Sequence, residues 1–388
     1  MTKQLLKLLA GLLFMANSAN SQDDAQPLEV WLGTGGAPSR GIYYCELDSD
    51  TGKLSESKLA AEIEKPGFLA MHPNGTHLYT VGSLDGVGSV VAYKIDRSAR
   101  PSTLEFVGSV PGGDGRGTHI SVDATGQMLL TAQYGGGSIA AYRLNEDGSI
   151  ANETCLIKHE GGSGVVEGRQ DSPHAHWAGF APDQKFAFVP DLGLDQVVIY
   201  KVKLEDATIE PHGFAATPPG SGPRHFKFHP DGKWGYVFNE LAMTISVFDY
   251  DADAGKLSIK QTVSTLDDAA MKQEKFLSGA EIRIHPSGNL LYASNRGHDS
   301  ITVFRIAADG QLAAIQNEAV RGAFPRNFNL DPSGRWALVA GQTSHTLSCF
   351  EVDAASGRLT YHQEIISTPS PICVVFGPES SSGTLPTK

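Results

Sequence analysis

The sequence predicts an all-β protein, a seven-bladed β-propeller, on three observations. A segment of about fifty residues, the length of one propeller blade, recurs along the chain. Apolar and polar residues alternate with period two, and no helical face is sustained. The two ends of the chain carry fragments that complete each other.

The recurring unit is a short apolar strand, a Pro/Asp-x-Gly turn, a second strand and a third that ends in an aromatic. It stands at FLAMHPNGTHLYTVG from Phe68, HISVDATGQMLLTAQ from His119 and WAGFAPDQKFAFVPD from Trp177. HFKFHPDGKWGYVFN from His225, EIRIHPSGNLLYASN from Glu281 and NFNLDPSGRWALVAG from Asn327 complete the set. A β-rich stretch follows each, from VVAYKI to LSCFEV, and then a weaker fourth strand such as LEFVGSV at Leu104. Between turn positions (Gly75, Gly126, Gln184, Gly232, Gly288, Gly334) the spacing runs from 46 to 58 residues. His72, His229 and His285 sit in the turns and read as turn hydrogen-bonders. MKQEKFLSG at Met271 reads as one helical turn in a loop.

Six repeats leave two ends. PICVVFGPE at Pro371 looks like a first strand with nothing after it; LEVWLGTGG and GIYYCELD near the N-terminus look like strands two onward with nothing before them. Joined, they make a seventh blade and leave no open sheet edge. A six-bladed ring with frayed ends is the alternative.

The first residues read as a secretory signal: Lys3 and Lys7, the apolar run Leu8 to Met15, then Ala19-Asn20-Ser21 before Gln22. That run is too short to span a bilayer, and no later segment reaches the ~20 apolar residues required. The expected organisation is a signal peptide over 1–21 and a single propeller domain over 22–388, exported to the periplasm or the medium, with no membrane insertion. Monomer is the expected state.

A formal charge of −12 argues against nucleic acid or anionic membrane as a partner, since both select basic surfaces. The four cysteines (Cys45, Cys155, Cys349, Cys373) form no CxxC pair. A Cys349–Cys373 bridge could form in an oxidising compartment, but buried free thiols are the expectation. There is no HExxH, Walker or GxSxG pattern, and neither metal nor cofactor is expected.

Aligning the repeats on their turns locates a site. At the start of the first strand stand Gly67, Thr118, His176, Arg224, Ala280, Arg326 and Ile372. At the end of the second stand Gly82, Gln133, Asp191, Asn239, Asn295 and Gly341, each followed by Ser83, Tyr134, Leu192, Glu240, Arg296 and Gln342. Antiparallel pairing puts both sets at one mouth of the channel. There His176, Asp191, Arg224, Asn239, Glu240, Asn295, Arg296 and Arg326 converge, with His174, His225 and His298 joining from nearby loops. Arginine forks match carboxylate and phosphate, a Glu beside Arg stays ionised, and His moves protons. Any one of these could be a structural ion pair or a loop hydrogen-bonder. Their convergence points to chemistry.

SPHAHWAGFAPD at Ser172, VPDLGLDQV at Val189, GPRHFKFHPDGK at Gly222, YVFNEL at Tyr236 and LYASNRGHDSI at Leu291 resemble the seven-bladed propeller lactonases. That family includes the propeller-type 6-phosphogluconolactonases and, more distantly, the carboxy-muconate lactonizing enzymes. The resemblance runs from about Leu28 to Pro378. It implies catalytic or binding groups at His176 (or His174), Arg224, Glu240 and Arg296. The implied reaction is hydrolysis of a small-molecule sugar lactone to its hydroxy acid, without cofactor. Arg224 and Arg296 would hold the anionic end or the oxyanion, and Glu240 or His176 would activate water. His174, Asp191, Asn239, Asn295, His298 and Arg326 are expected to bind substrate. If the cluster is catalytic, replacing Arg224 or Glu240 should leave thermal stability roughly unchanged. The family's usual setting is cytoplasmic sugar-phosphate metabolism, so a signal peptide leaves open whether the lactone is phosphorylated. A non-catalytic propeller that binds sugars or proteins, or a muconate-type lactonizing enzyme, are the rival readings.

Overall fold

The computed structural model describes residues 26–378, which form seven four-stranded antiparallel sheets. The expected signal peptide and its cleavage site lie outside the described residues.

Blade one comprises Glu64–Met71, His77–Leu84, Val87–Asp96 and Thr103–Pro111. Blades two to six repeat the same in-to-out order, with innermost strands at His119–Val122, Gly179–Phe180, Pro223–Phe228, Ser278–Ile284 and Pro325–Leu330. Blade seven is built from both ends, in the order Pro371–Phe376, Leu28–Thr34, Gly41–Leu47, Lys58–Glu62. Its closing register pairs Val30 with Phe376 and Leu32 with Val374. The ring therefore has seven blades, and the six-bladed alternative is excluded.

Each face of a blade packs against its neighbour, so apolar clusters sit between blades. Leu32, Tyr43, Trp336, Leu338 and Val374 join blades six and seven. Trp31, Tyr44, Leu69, Leu78 and Tyr93 join blades seven and one. This is why every blade's middle strands are buried on both faces although each strand is short. Buried Leu, Ile, Val and Phe side chains contribute about 1.5–3 kcal/mol each relative to exposure.

Polar latches repeat from blade to blade on the side of the Pro/Asp-x-Gly turns. His72 Nε2 bonds the carbonyl of Gly126, His229 Nε2 that of Gly288, and His285 Nε2 that of Gly334, at 2.8–3.2 Å. The turn histidines thus tie blades one, four and five each to the next, which their turn position alone did not reveal. Gly126 has φ +75°, and a Cβ there would lie 2.3 Å from His72 Nε2. Tyrosines add a second set: Tyr79, Tyr236 and Tyr292 donate to the carbonyls of Gly148, Gly310 and Gly357.

The helical turn expected near Met271 is a short helix, Asp268–Gln273, capped by Asp267. All four cysteines are free. Burial pushes the Cys349 and Cys373 thiols up to about 12, consistent with inert core sulfurs rather than a bridge.

Candidate active site

At the mouth where innermost strands begin, a cavity of about 660 Å³ opens into the channel. Its walls include Gly67, Thr118, His176, Arg224, Arg326 and Ile372 at or near the strand starts, Arg296 at the end of a second strand, and Tyr134, Glu240 and Gln342 immediately after the ends of theirs.

Bulges aim several of these residues. The innermost strand of blade four slips register between Pro223 and His225, which leaves Arg224 unpaired; blade six does the same around Arg326. A bulged residue escapes the ladder, so its side chain can be redirected. Because of the bulge, Arg224 and its neighbour His225 both line the cavity instead of pointing to opposite faces. His225 lies on the strand itself, not in a loop.

Glu240 is the hub. Its Oε2 accepts from Arg224 Nε at 2.9 Å and lies 3.0 Å from Arg296 Nη2, while Oε1 accepts from Arg169 Nη2 at 2.7 Å. Burial alone would push the Glu240 carboxyl up; Arg296, Arg224, His176 and Arg169 outweigh it and hold it well below the usual carboxylate range. Burial lowers the proton affinity of Arg224 and Arg296, with Arg296 adding repulsion at Arg224, while Glu240 opposes both shifts. His176, Arg224, Glu240 and Arg296 are each at most 5% exposed.

His176 lies just before the short innermost strand of blade three and is held by its backbone, its N–H donating to Pro190 O at 3.0 Å. Burial, then Arg224 and His225, push its imidazole well below the ordinary value, so it is neutral near pH 7. Its Nδ1 is buried without a partner among the described residues, as is Oε1 of Gln342.

Other expected residues stand elsewhere. Asp191 is fully buried and faces away from the cavity. Its Oδ1 accepts the N–H groups of His174, Gly193 and Leu194, and its Oδ2 meets His159 Nδ1 at 2.6 Å. It fastens the loop that carries His174 and His176. Asn239 donates to Thr244 and Ser246, and Asn295 to Ser300 and Thr302, inside their own blades. Successive residues on a strand point to opposite faces, so with Glu240 and Arg296 turned into the mouth their predecessors turn away. His298 bonds Ser300 Oγ and borders a separate recess beside the short helix. His174 stacks on Tyr134, centroids 4.3 Å apart, and so backs a cavity wall without lining it.

Two charged lining residues escaped the repeat alignment, Arg116 and Arg169. Both sit in Gly-rich loops, PGGDGRG at Pro111 and EGGSGVVEGRQ at Glu160, that lead into strand-one starts. The signal was present: the longest interval between turns, Gly126 to Gln184, is the one that holds the second loop. With them, five guanidiniums and one carboxylate line the cavity of an acidic protein. Arg116 and Arg326 have no ion-pair or hydrogen-bond partner among the described residues. Burial and Arg296 push Arg326 down to about 10, against the pull of Glu240.

The family described as Lactonase, 7-bladed beta-propeller, matches residues 29–376. The chain belongs to that family. It is 36% identical over 339 residues to a 6-phosphogluconolactonase of Bacillus subtilis (strain 168), covering 87% of this chain and 95% of that protein. A 6-phosphogluconolactonase of Formosa agariphila is 34% identical over 333 residues, 83% of this chain and 91% of the relative. Among solved structures, a periplasmic gluconolactonase from Pseudomonas aeruginosa superposes with TM-score 0.84 at 28% identity, covering 91% of this chain and all (100%) of that one. A putative 6-phosphogluconolactonase from Bacteroides fragilis gives TM-score 0.83 at 28% identity, with 92% and 99% covered.

Proposed function

We propose that this chain hydrolyses a sugar lactone to its hydroxy acid, and that the lactone carries an anionic group. The observation that carries this reading is the charge pattern of the cavity: Glu240 engages Arg169, Arg224 and Arg296, and Arg116 and Arg326 pair with no anion among the described residues. Gathering cations out of water is unfavourable unless an anion joins them. A phosphate or carboxylate beside Arg116 and Arg326 would relieve that, and guanidinium forks suit either. The orphaned polar atoms of His176 and Gln342 suit a ligand rich in hydroxyl groups.

In this mechanism Arg224 and Arg296, fixed by Glu240, face the lactone carbonyl and stabilise the oxyanion as water adds. Preorganised donors of this kind are worth about 10²–10³ each in rate. Glu240 acts by positioning, because three guanidiniums leave its carboxylate little basicity.

We further propose that the chain is exported. Lys3, Lys7, the run from Leu8 to Met15 and Ala19-Asn20-Ser21 support this, as does the likeness to a protein named a periplasmic gluconolactonase. Among the described residues no helix is long and apolar enough to cross a membrane.

The test is a panel of sugar lactones, phosphorylated and not, followed by pH-stat against spontaneous hydrolysis. Acceleration of one or more is expected, with the phosphorylated members preferred; no acceleration of any would overturn the assignment. Mass spectrometry of the mature protein checks export: a chain starting near Gln22 is expected, and intact Met1 in the cytoplasm would contradict it.

A further inference from the structure

We propose that His225, oriented by Glu281, is the base that activates the hydrolytic water. The proposal rests on the lactonase reading and deepens it.

His225 lines the cavity at the level just below Arg224, and its Nδ1 lies 3.2 Å from Glu281 Oε1. Glu281 comes from the innermost strand of the next blade and is completely buried. Its carboxylate is tethered on every side: Oε1 accepts the N–H of Ile282 at 3.1 Å, and Oε2 accepts Asn327 Nδ2 and Arg283 Nη2. An ionised carboxylate only accepts, so Nδ1 of His225 carries the proton and Nε2 keeps its lone pair. Nε2 has no protein partner among the described residues, and the ring lines the cavity. A carboxylate that fixes the tautomer and orientation of an imidazole is the arrangement a general base requires.

The other candidates lack this support. Glu240 is held by three arginines. His176, with ring centroid 5.4 Å from His225, has among the described residues no partner for its Nδ1 and no carboxylate hydrogen-bonded to fix its tautomer. His119, centroid 5.7 Å from His225, uses its Nδ1 to accept the N–H of Ala178.

The charged and titratable groups around His225 are Arg224, Lys227, Arg283, Arg326, Glu281, His119 and His176. Burial, then Arg224, Lys227, Arg283 and Arg326, hold the imidazole well below its ordinary value, so it is unprotonated at neutral pH. In the step itself, Nε2 takes a proton from water as the water oxygen bonds to the carbonyl carbon. The carbonyl electron pair becomes the oxyanion held by Arg224 and Arg296. When that pair returns, the bond from carbon to ring oxygen breaks, and the imidazolium gives its proton to the leaving oxygen. The product is the open hydroxy acid, and His225 is neutral again.

The experiment measures kcat, KM and pH profiles for 6-phosphogluconolactone and gluconolactone with the wild-type chain and with His225→Gln, Glu281→Gln and His176→Gln. His225→Gln is expected to lower kcat ~10²–10⁴-fold, the usual worth of general base catalysis, with KM little changed and the acid limb of the kcat profile lost. Added imidazole should restore part of the rate in His225→Ala, which a purely structural histidine would not allow. Glu281→Gln should move the acid limb to lower pH, since removing the carboxylate disfavours the imidazolium. An unchanged acid limb in His225→Gln, or its loss in His176→Gln alone, overturns the proposal. A wild-type chain inactive on both lactones overturns the lactonase reading, and this one with it.

Discussion

The two ends of the central channel use similar residues in opposite ways. At the turn end, His72, His229 and His285 occupy the same repeat position in blades one, four and five and make the same bond to the next blade's glycine carbonyl, while Asp123, Ala181 and Asp331 stand there in blades two, three and six. At the mouth, the equivalent positions hold Gly67, Thr118, His176, Arg224, Ala280, Arg326 and Ile372, no two neighbours alike. Symmetry serves the fold at one end, and departure from symmetry makes an asymmetric site at the other. A repeat position that holds His or Asp in five of the six turns, and uses it for turn or inter-blade hydrogen bonds, is explained by packing. One that varies in charge and size around a cavity needs a ligand to explain it.

The largest expected contrast is at Glu240. Glu240→Gln should lower turnover per folded molecule by ~10² or more. It should also destabilise by ~3–5 kcal/mol, the usual loss when one partner of a buried ion pair is removed. Arg224→Ala should cost as much activity but less stability, because Arg296 and Arg169 still engage the carboxylate. This revises the expectation of unchanged stability: the pair is buried, so catalytic and structural contributions are joined, and activity must be normalised to folded protein by urea titration. Equal stability losses in the two variants would break the account of the clamp.

Gly126→Ala probes the other end. A side chain there meets His72 and a left-handed backbone, which should cost ~1–3 kcal/mol in denaturation while activity per folded molecule is unchanged. A loss of activity without a loss of stability would show that the turn end is not a passive latch.

Stability should fall as pH drops from 7 toward 5. His119, His176 and His225 are held well below their ordinary values, chiefly by burial, so the unfolded chain takes up protons near 6.5 that the folded chain refuses. That contribution is present above the unfolded value and is lost as pH falls below it. Glu240 adds a loss only below the ordinary glutamate range. Urea midpoints measured across this interval check the slope, and His119→Phe should flatten it.

The smallest effect is at Arg326. Arg326→Gln removes an unpaired cation, so the melting temperature should hold or rise slightly, while KM for a phosphorylated lactone rises about tenfold, the worth of one charge-assisted hydrogen bond. An unphosphorylated lactone should be affected less; equal effects on both would place the anion elsewhere.

The repeat, the period-two alternation and the complementary ends were sufficient to derive seven blades and the closing strand, because each blade is a local unit whose pattern is written in consecutive residues. The same register counting brought His176, Arg224, Glu240, Arg296 and Arg326 to one mouth. It could not separate Glu240 from Asn239 or Arg296 from Asn295, although alternation along a strand already allows only one of each pair to face the channel. What only the tertiary structure decided is set by contacts between blades. The bulges at Arg224 and Arg326 turn side chains that a regular strand would aim elsewhere. Arg169 reaches Glu240 from a loop outside the repeat, across 71 residues. Glu281 meets His225 across 56 residues because neighbouring innermost strands lie side by side, a proximity that no spacing within either strand records.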